Sequence, residues 1–246
     1  IDRIVRGIAV SQGDNDKLNI KKGDVLFSIN QITNPSLSCT SESTDAVDAL
    51  SVPIATFYRA KTAEFSANNA LFDMNLMATQ VGTTKKLATE TAKIVVPCFH
   101  TIDVTTATSY TLSHTPKADS TPKAYVLNGD GTLGTSYGAG TAASDTEFAY
   151  DEASHTITLP TGLTAGSQLF VMYEYESEKA TAVTANAVDF PKAGKFVLEV
   201  LGTDVCDPDT LIHAYVVFPN AKLDGNVDYT FATDGTHPFT IRAMQN

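Results

Sequence analysis

The sequence predicts a mainly β fold, a sandwich or barrel carrying one flanking α-helix, and three observations point to it. Most of its 246 residues read as short alternating stretches punctuated by Gly, Pro, Asn and Asp. One stretch alone, residues 66–81, carries the 3.6-residue period of an amphipathic helix. The 43% hydrophobic content is ordinary for a globular chain, and no apolar run approaches the ~20 residues a membrane-spanning helix needs.

Taken in order, residues 24–32 (DVLFSINQI) have strand composition. Asn34-Pro35 then makes a turn before strand resumes over residues 36–40. Residues 53–65 predict a long strand in which Ile54, Thr56, Tyr58, Ala60 and Thr62 share one face, and Ala55, Phe57, Arg59, Lys61 and Ala63 the other. Both faces start apolar, and Arg59 and Lys61 polarise one of them, which fits a strand that begins buried and ends against solvent or a partner.

Ser66 is a suitable N-cap for the helix, and Gly82 a natural terminator after Val81. Ala70, Leu71, Met74, Met77, Ala78 and Val81 form one stripe, so Leu71, Met74, Met77 and Val81 are expected in the core. Phe72 and Leu76 lie off that stripe, as part of a broad buried arc or as a second ridge facing a neighbouring subunit or an inserted domain.

Residues 92–98 return to strand, and then the composition shifts. Residues 100–178 are rich in Thr, Ser, Ala, Gly and Pro, with strands expected at 123–127, 147–150, 156–159 and 168–176 between turns such as Asn128-Gly129-Asp130-Gly131. This segment reads as an inserted small β-sandwich, within the lower size range of domains. Four more strands are expected at 195–201, 211–218, 226–231 and 239–243. The domain reading is therefore a discontinuous β domain over residues 1–99 and 179–246, interrupted by the insertion at 100–178.

Little in the sequence points to chemistry. His100, His114, His155, His213 and His237 are scattered without metal-ligand spacing, and no GxSxG elbow, Walker loop or dinucleotide fingerprint is present. Cys39, Cys98 and Cys206 have no CxxC pair and read as buried free thiols, implying a reducing compartment during folding. The acidic loops at residues 14–16, 128–131 and 204–209 lack the spacing of a calcium loop and read as turns. Neither catalytic residues, nor metal ligands, nor a cofactor are predicted. Residues 1–10 lack the basic start and long apolar stretch of a secretory signal. The formal net charge of −11 argues against a surface that grips nucleic-acid phosphates.

The run Asp45-Ala46-Val47-Asp48-Ala49 leading into ATFYRAKTAEF, the segment SANNALFDMNLMATQVG, and VDYTFATDGTHPFTIRA near the end together resemble the tail tube proteins of long-tailed bacteriophages and the related type VI secretion tube proteins. The resemblance covers the chain before His100 and after about Ala187, and it implies a small β-sandwich with one helix, assembling into hexameric rings that stack as a hollow tube. The middle segment is then an Ig-like decoration. The implied partners are further copies of the chain, other tail proteins such as tape measure, terminator or sheath, and genomic DNA passing through the lumen, with no membrane. The implied location is the virion tail after assembly in the host cytoplasm. Six copies would carry about −66, which suits a conduit along which a polyanion slides. Arg59, Lys61, Phe72 and Leu76 are the candidate subunit-interface residues. Two alternatives remain: a capsid decoration or other phage structural protein, and an extracellular carbohydrate-binding or adhesive β-sandwich, which the absence of Trp disfavours.

Overall fold

The computed structural model describes residues 3–106, 108–207 and 209–244. In chain order the strands are β1 (Arg3–Ser11), β2 (Val25–Ile29), β3 (Ile32–Val47) and β4 (Pro53–Asn69), then helix α1 (Met74–Gln80). After these come β5 (Lys86–Leu87), β6 (Ile94–Asp103), β7 (Ser109–Thr111), β8 (Lys123–Leu127), β9 (Leu133–Gly140), β10 (Glu147–Asp151), β11 (Thr156–Thr158), β12 (Gln168–Ser177) and β13 (Thr181–Ala182). The chain closes with β14 (Ala193–Thr203), β15 (Leu211–Leu223) and β16 (His237–Ala243). It divides into two compact units, one formed by Ile1–Lys85 with Val183–Asn246 and the other by Lys86–Ala182.

The first unit is a seven-stranded sheet in the order β2-β1-β14-β15-β16-β4-β3, antiparallel throughout. Alternation along β14 sends Phe196, Leu198 and Val200 to one face. There they meet Phe27 and Ile29 of β2, Phe65 and Ala67 of β4, and Phe239 and Ile241 of β16 in a single core. Phe196 touches Phe27, Phe65 and Phe218 with tilted rings about 6 Å apart.

The helix is shorter than the periodicity of residues 66–81 predicts. Ser66 to Asn69 remain in β4, paired with β16 on one side and β3 on the other, so two ladders outbid a helical turn there. Asp73, not Ser66, is the N-cap, and its carboxylate accepts the Leu76 amide at 2.7 Å. Gly82 does terminate the helix at φ 76°, and a Cβ on it would lie 2.4 Å from the Phe190 backbone. Because the helix starts eight residues late, it buries Leu76 and Gln80 on one side and Ala78 on the other, while Met74, Met77 and Val81 are only half-buried and Leu71 is 60% exposed.

Other departures are local. The predicted turn at Asn34-Pro35 is a left-handed residue, Asn34 at φ 50°, inside a bulged β3. Residues 226–231 form no strand, and β1, unforeseen, pairs with both β2 and β14.

The second unit arranges its strands in the order β6-β12-β8-β9-β10-β11-β7, with one parallel pair, β9 and β10, and a separate ribbon of β13 and β5. Its core gathers Ile102, Leu112, Ala124, Phe148, Ile157, Leu169, Val171 and Tyr173. Strand β6 pairs with β12 along its whole length, so the stretch the sequence places just before the insertion is an integral strand of this unit. No described helix is long and apolar enough to cross a membrane.

Cys39 and Cys206 are exposed and Cys98 partly buried, all three as free thiols, so the expectation of burial fails for the first two. The acidic loops serve their own backbones. Asp14 accepts the Lys22 amide, Asp130 accepts the Thr132 amide and hydroxyl, and Asp204 accepts the Cys206 amide. Pro208, within the third loop, lies outside the described residues.

Candidate assembly interface

The first unit's sheet forks. Strand β16 pairs with β4 only from Glu64 to Asn69, and with β15 only from Ala221 to Leu223. Beyond those points β4 keeps β3 as its sole partner and β15 keeps β14. Residues 53–63 of β4 and 211–218 of β15 therefore each present one backbone edge with no ladder partner among the described residues. Unpaired N–H and C=O rows of this length are templates for strand addition.

Both prongs carry apolar side chains that the unit leaves in solvent: Ile54, Phe57 and Tyr58 on β4, and Leu211, Ile212, Tyr215 and Val217 on β15. On the β4 side the prong is a hairpin with β3, and residues 33–47 of β3 and 53–62 of β4 are exposed on both faces. Cross-strand bonds stiffen it: the Thr40 and Thr62 hydroxyls meet at 2.6 Å, and the Thr56 hydroxyl donates to Asp45 at 2.7 Å. At its tip Asp48 accepts the amides of Leu50 at 2.8 Å and Val52 at 2.9 Å.

Arg59 and Lys61 sit on this prong and line an open groove of ≈ 710 Å³ with Cys39, Thr62, Ala243 and Met244, at the base of the fork. The register between β3 and β4 shifts by one residue between Glu42 and Ser43, leaving Arg59 without an opposite partner. The bulge disrupts the ladder at Arg59, and both side chains still line the same groove. Neither forms an ion pair among the described residues, whereas the neighbouring Arg242 is bound to Glu64 at 2.9 Å and Asp224 at 3.4 Å.

Leu76 is 0% exposed and belongs to the protomer's own core, so its side chain is not available to a neighbouring subunit. The reason is the late helix start, which rotates Leu76 onto the sheet. Phe72 is 38% exposed and is held by aromatic contacts within the protomer. It stacks on His237 at 5.4 Å and 16° and meets Tyr229 edge-on at 4.9 Å.

Beneath Phe72, Gln80 and His237 are fully buried and bonded, Oε1 to Nε2, at 2.7 Å. The Gln80 amide nitrogen faces the carbonyls of Pro238 at 3.1 Å and Asn226 at 3.4 Å. Its oxygen must then accept from His237 Nε2–H, leaving Nδ1 as a bare, unpartnered nitrogen. Burial holds the imidazole pKa below its ordinary value, against an opposing pull from the Asp73 carboxylate. The sequence shows no sign of this pair, which ties α1 to the first residue of β16.

A forked, open-edged antiparallel sheet with an exposed apolar hairpin defines a structural β-protein suited to strand addition. A family model described as the YomU/Tube protein family matches residues 19–245, and the chain belongs to that family of phage tail tube structural proteins. The comparison with curated proteins finds no match.

Proposed function

We propose that this chain is the repeating subunit of a phage tail tube, closing into rings, hexameric as the resemblance implies, that stack around a DNA conduit. The observation that carries this reading is the fork: residues 53–63 and 211–218 each offer an unpaired edge with exposed apolar side chains. In a ring, each subunit's β15 edge takes the β4 edge of its neighbour, satisfying both rows of backbone groups in one repeated contact. Arg59 and Lys61 then face the adjacent subunit, where an acidic chain supplies carboxylates.

The excess of acidic over basic residues supports passage of DNA without adhesion, since a net-acidic chain disfavours phosphate binding. The second unit is a decoration on the outside of the tube. Assembly takes place in the host cytoplasm, and the finished tube meets tape measure, terminator or sheath proteins in the virion. Negative-stain microscopy of the purified protein tests the reading. Rings or tubes of uniform diameter are expected, and a strictly monomeric protein at high concentration would refute it.

A further inference from the structure

Along the core face of the first unit's sheet, β4 and β16 meet in cross-strand pairs: Phe65 opposite Ile241, Ala67 opposite Phe239, and then Asn69 opposite His237. Residues directly opposite on an antiparallel pair share a face, with Cβ atoms about 5 Å apart. The third pair is therefore polar where the two before it are apolar. It is no less buried, with Asn69 5% and His237 0% exposed.

Each of these side chains keeps one lone pair without a donor. The Asn69 amide nitrogen donates to the Leu71 carbonyl at 2.7 Å, which makes Oδ1 the other end of the amide. His237 commits Nε2–H to Gln80, which leaves Nδ1 an acceptor. Asn69 Oδ1 and His237 Nδ1 are both buried and unpartnered among the described residues. Two acceptors cannot bond to each other, and a buried polar atom left bare carries its full desolvation penalty. A guest that gives a hydrogen to each removes both penalties at once.

We propose that Asn69 and His237 hold one internal water molecule, its two O–H groups donating to Asn69 Oδ1 and His237 Nδ1. Such waters characteristically bridge buried polar groups that the chain itself leaves unsatisfied. A neutral guest suits the surroundings better than a metal ion or a proton. Asp73, at the helix N-cap, is the ionised group that acts on the ring, and its pull is outweighed by burial. The ring's other neighbours are the Phe72 ring, the uncharged Gln80 amide and Tyr229, edge-on at 6.0 Å. The water completes a chain of bonds from the Leu71 carbonyl through Asn69, His237 and Gln80 to the Pro238 carbonyl. It joins the segment entering α1 to that helix's last residue and to the start of β16.

A high-resolution crystal structure of the full chain tests it. One density peak is expected within about 2.7–3.2 Å of both Asn69 Oδ1 and His237 Nδ1. A peak about 2.0–2.1 Å from Nδ1 would be a metal ion, and direct contact between the two atoms would make the ring an imidazolium donor. Either result, or no peak between them, overturns the proposal. In solution at neutral pH, His237 Hε1 should show a nuclear Overhauser effect to a long-lived water, assigned by its loss in His237→Gln. Asn69→Leu should abolish the effect while Nε2–H stays bonded to Gln80; an effect that persists comes from proton exchange at Nε2 and overturns the water. Asn69→Asp, which keeps the shape of the side chain, gives a second readout. A carboxylate facing Nδ1 should raise the ring's titration midpoint by about one pH unit or more, followed by its nitrogen chemical shifts. An unchanged midpoint means that the two side chains do not face each other, and overturns the site.

Discussion

Truncating Leu76 separates the helix seen in the structure from the one the periodicity of residues 66–81 predicts. Leu76 is fully buried against the core that contains Phe65, Phe196 and Phe239, with α1 packed over β2. Leu76→Ala removes the buried side chain and leaves a cavity that the ladders of β4 and β16 on the sheet prevent from collapsing, a loss of about 3 kcal/mol. At about 2–4 °C per kcal/mol for a chain of this size, that is a fall in Tm of about 6–12 °C. Leu71→Ala, at an exposed position the periodicity places in the core, should cost less than about 0.5 kcal/mol. Thermal melts followed by circular dichroism measure both. A Leu71→Ala protein less stable than Leu76→Ala would mean that the helical face, and with it the late start at Asp73, is wrong.

Replacing Arg59 and Lys61 together by Glu should abolish ring formation while leaving the monomer's melting within about 1 °C, because both side chains are exposed and unpaired in the protomer; light scattering and microscopy read the outcome. Burial lowers the His237 pKa in the folded state, so the unfolded chain binds the extra proton first. Stability should therefore fall as pH drops below about 6.5, by at most ~1.4 kcal/mol per pH unit, and His237→Gln should flatten that slope between pH 7 and 5. The carboxylates Asp130 and Asp151, held down by hydrogen bonds from Thr132 and Ser154, contribute only below about pH 4 and so do not blur this window. Replacing residues 86–182 by a short Gly/Ser bridge should leave a folded first unit with its own melting transition, since each unit holds a separate core; loss of all soluble folded protein would tie the second unit to that core.

The sequence made β4, β12 and β15 legible because their β-branched and aromatic residues run long enough for the pattern to dominate. It misled where two periods overlap. Phe65, Ala67 and Asn69 bury every second residue as strand, yet Ala67, Ala70, Leu71 and Met74 also satisfy helical spacing. Only the ladders with β3 and β16 decide between them, and those contacts are remote in sequence. Tyr229 looks like a strand residue but packs edge-on against His237, and Phe231 meets Tyr229 alone and stays 93% exposed. Arg59 and Lys61 were recognisable as cations out of place on a strand, whereas the bulge that leaves Arg59 unpaired depends on the register with β3. The fork itself is a relation among β4, β15 and β16, and no local pattern encodes it.

Hydrogen exchange of the free and assembled protein, resolved along β4 and β15, tests the edge-pairing claim most directly. Amides of residues 53–63 and 211–218 that point away from β3 and β14 should exchange freely in the monomer and become protected by at least a hundredfold on assembly, while those of β14, paired on both sides already, change little. Assembled particles in which both prongs still exchange as fast as in the monomer would contradict it.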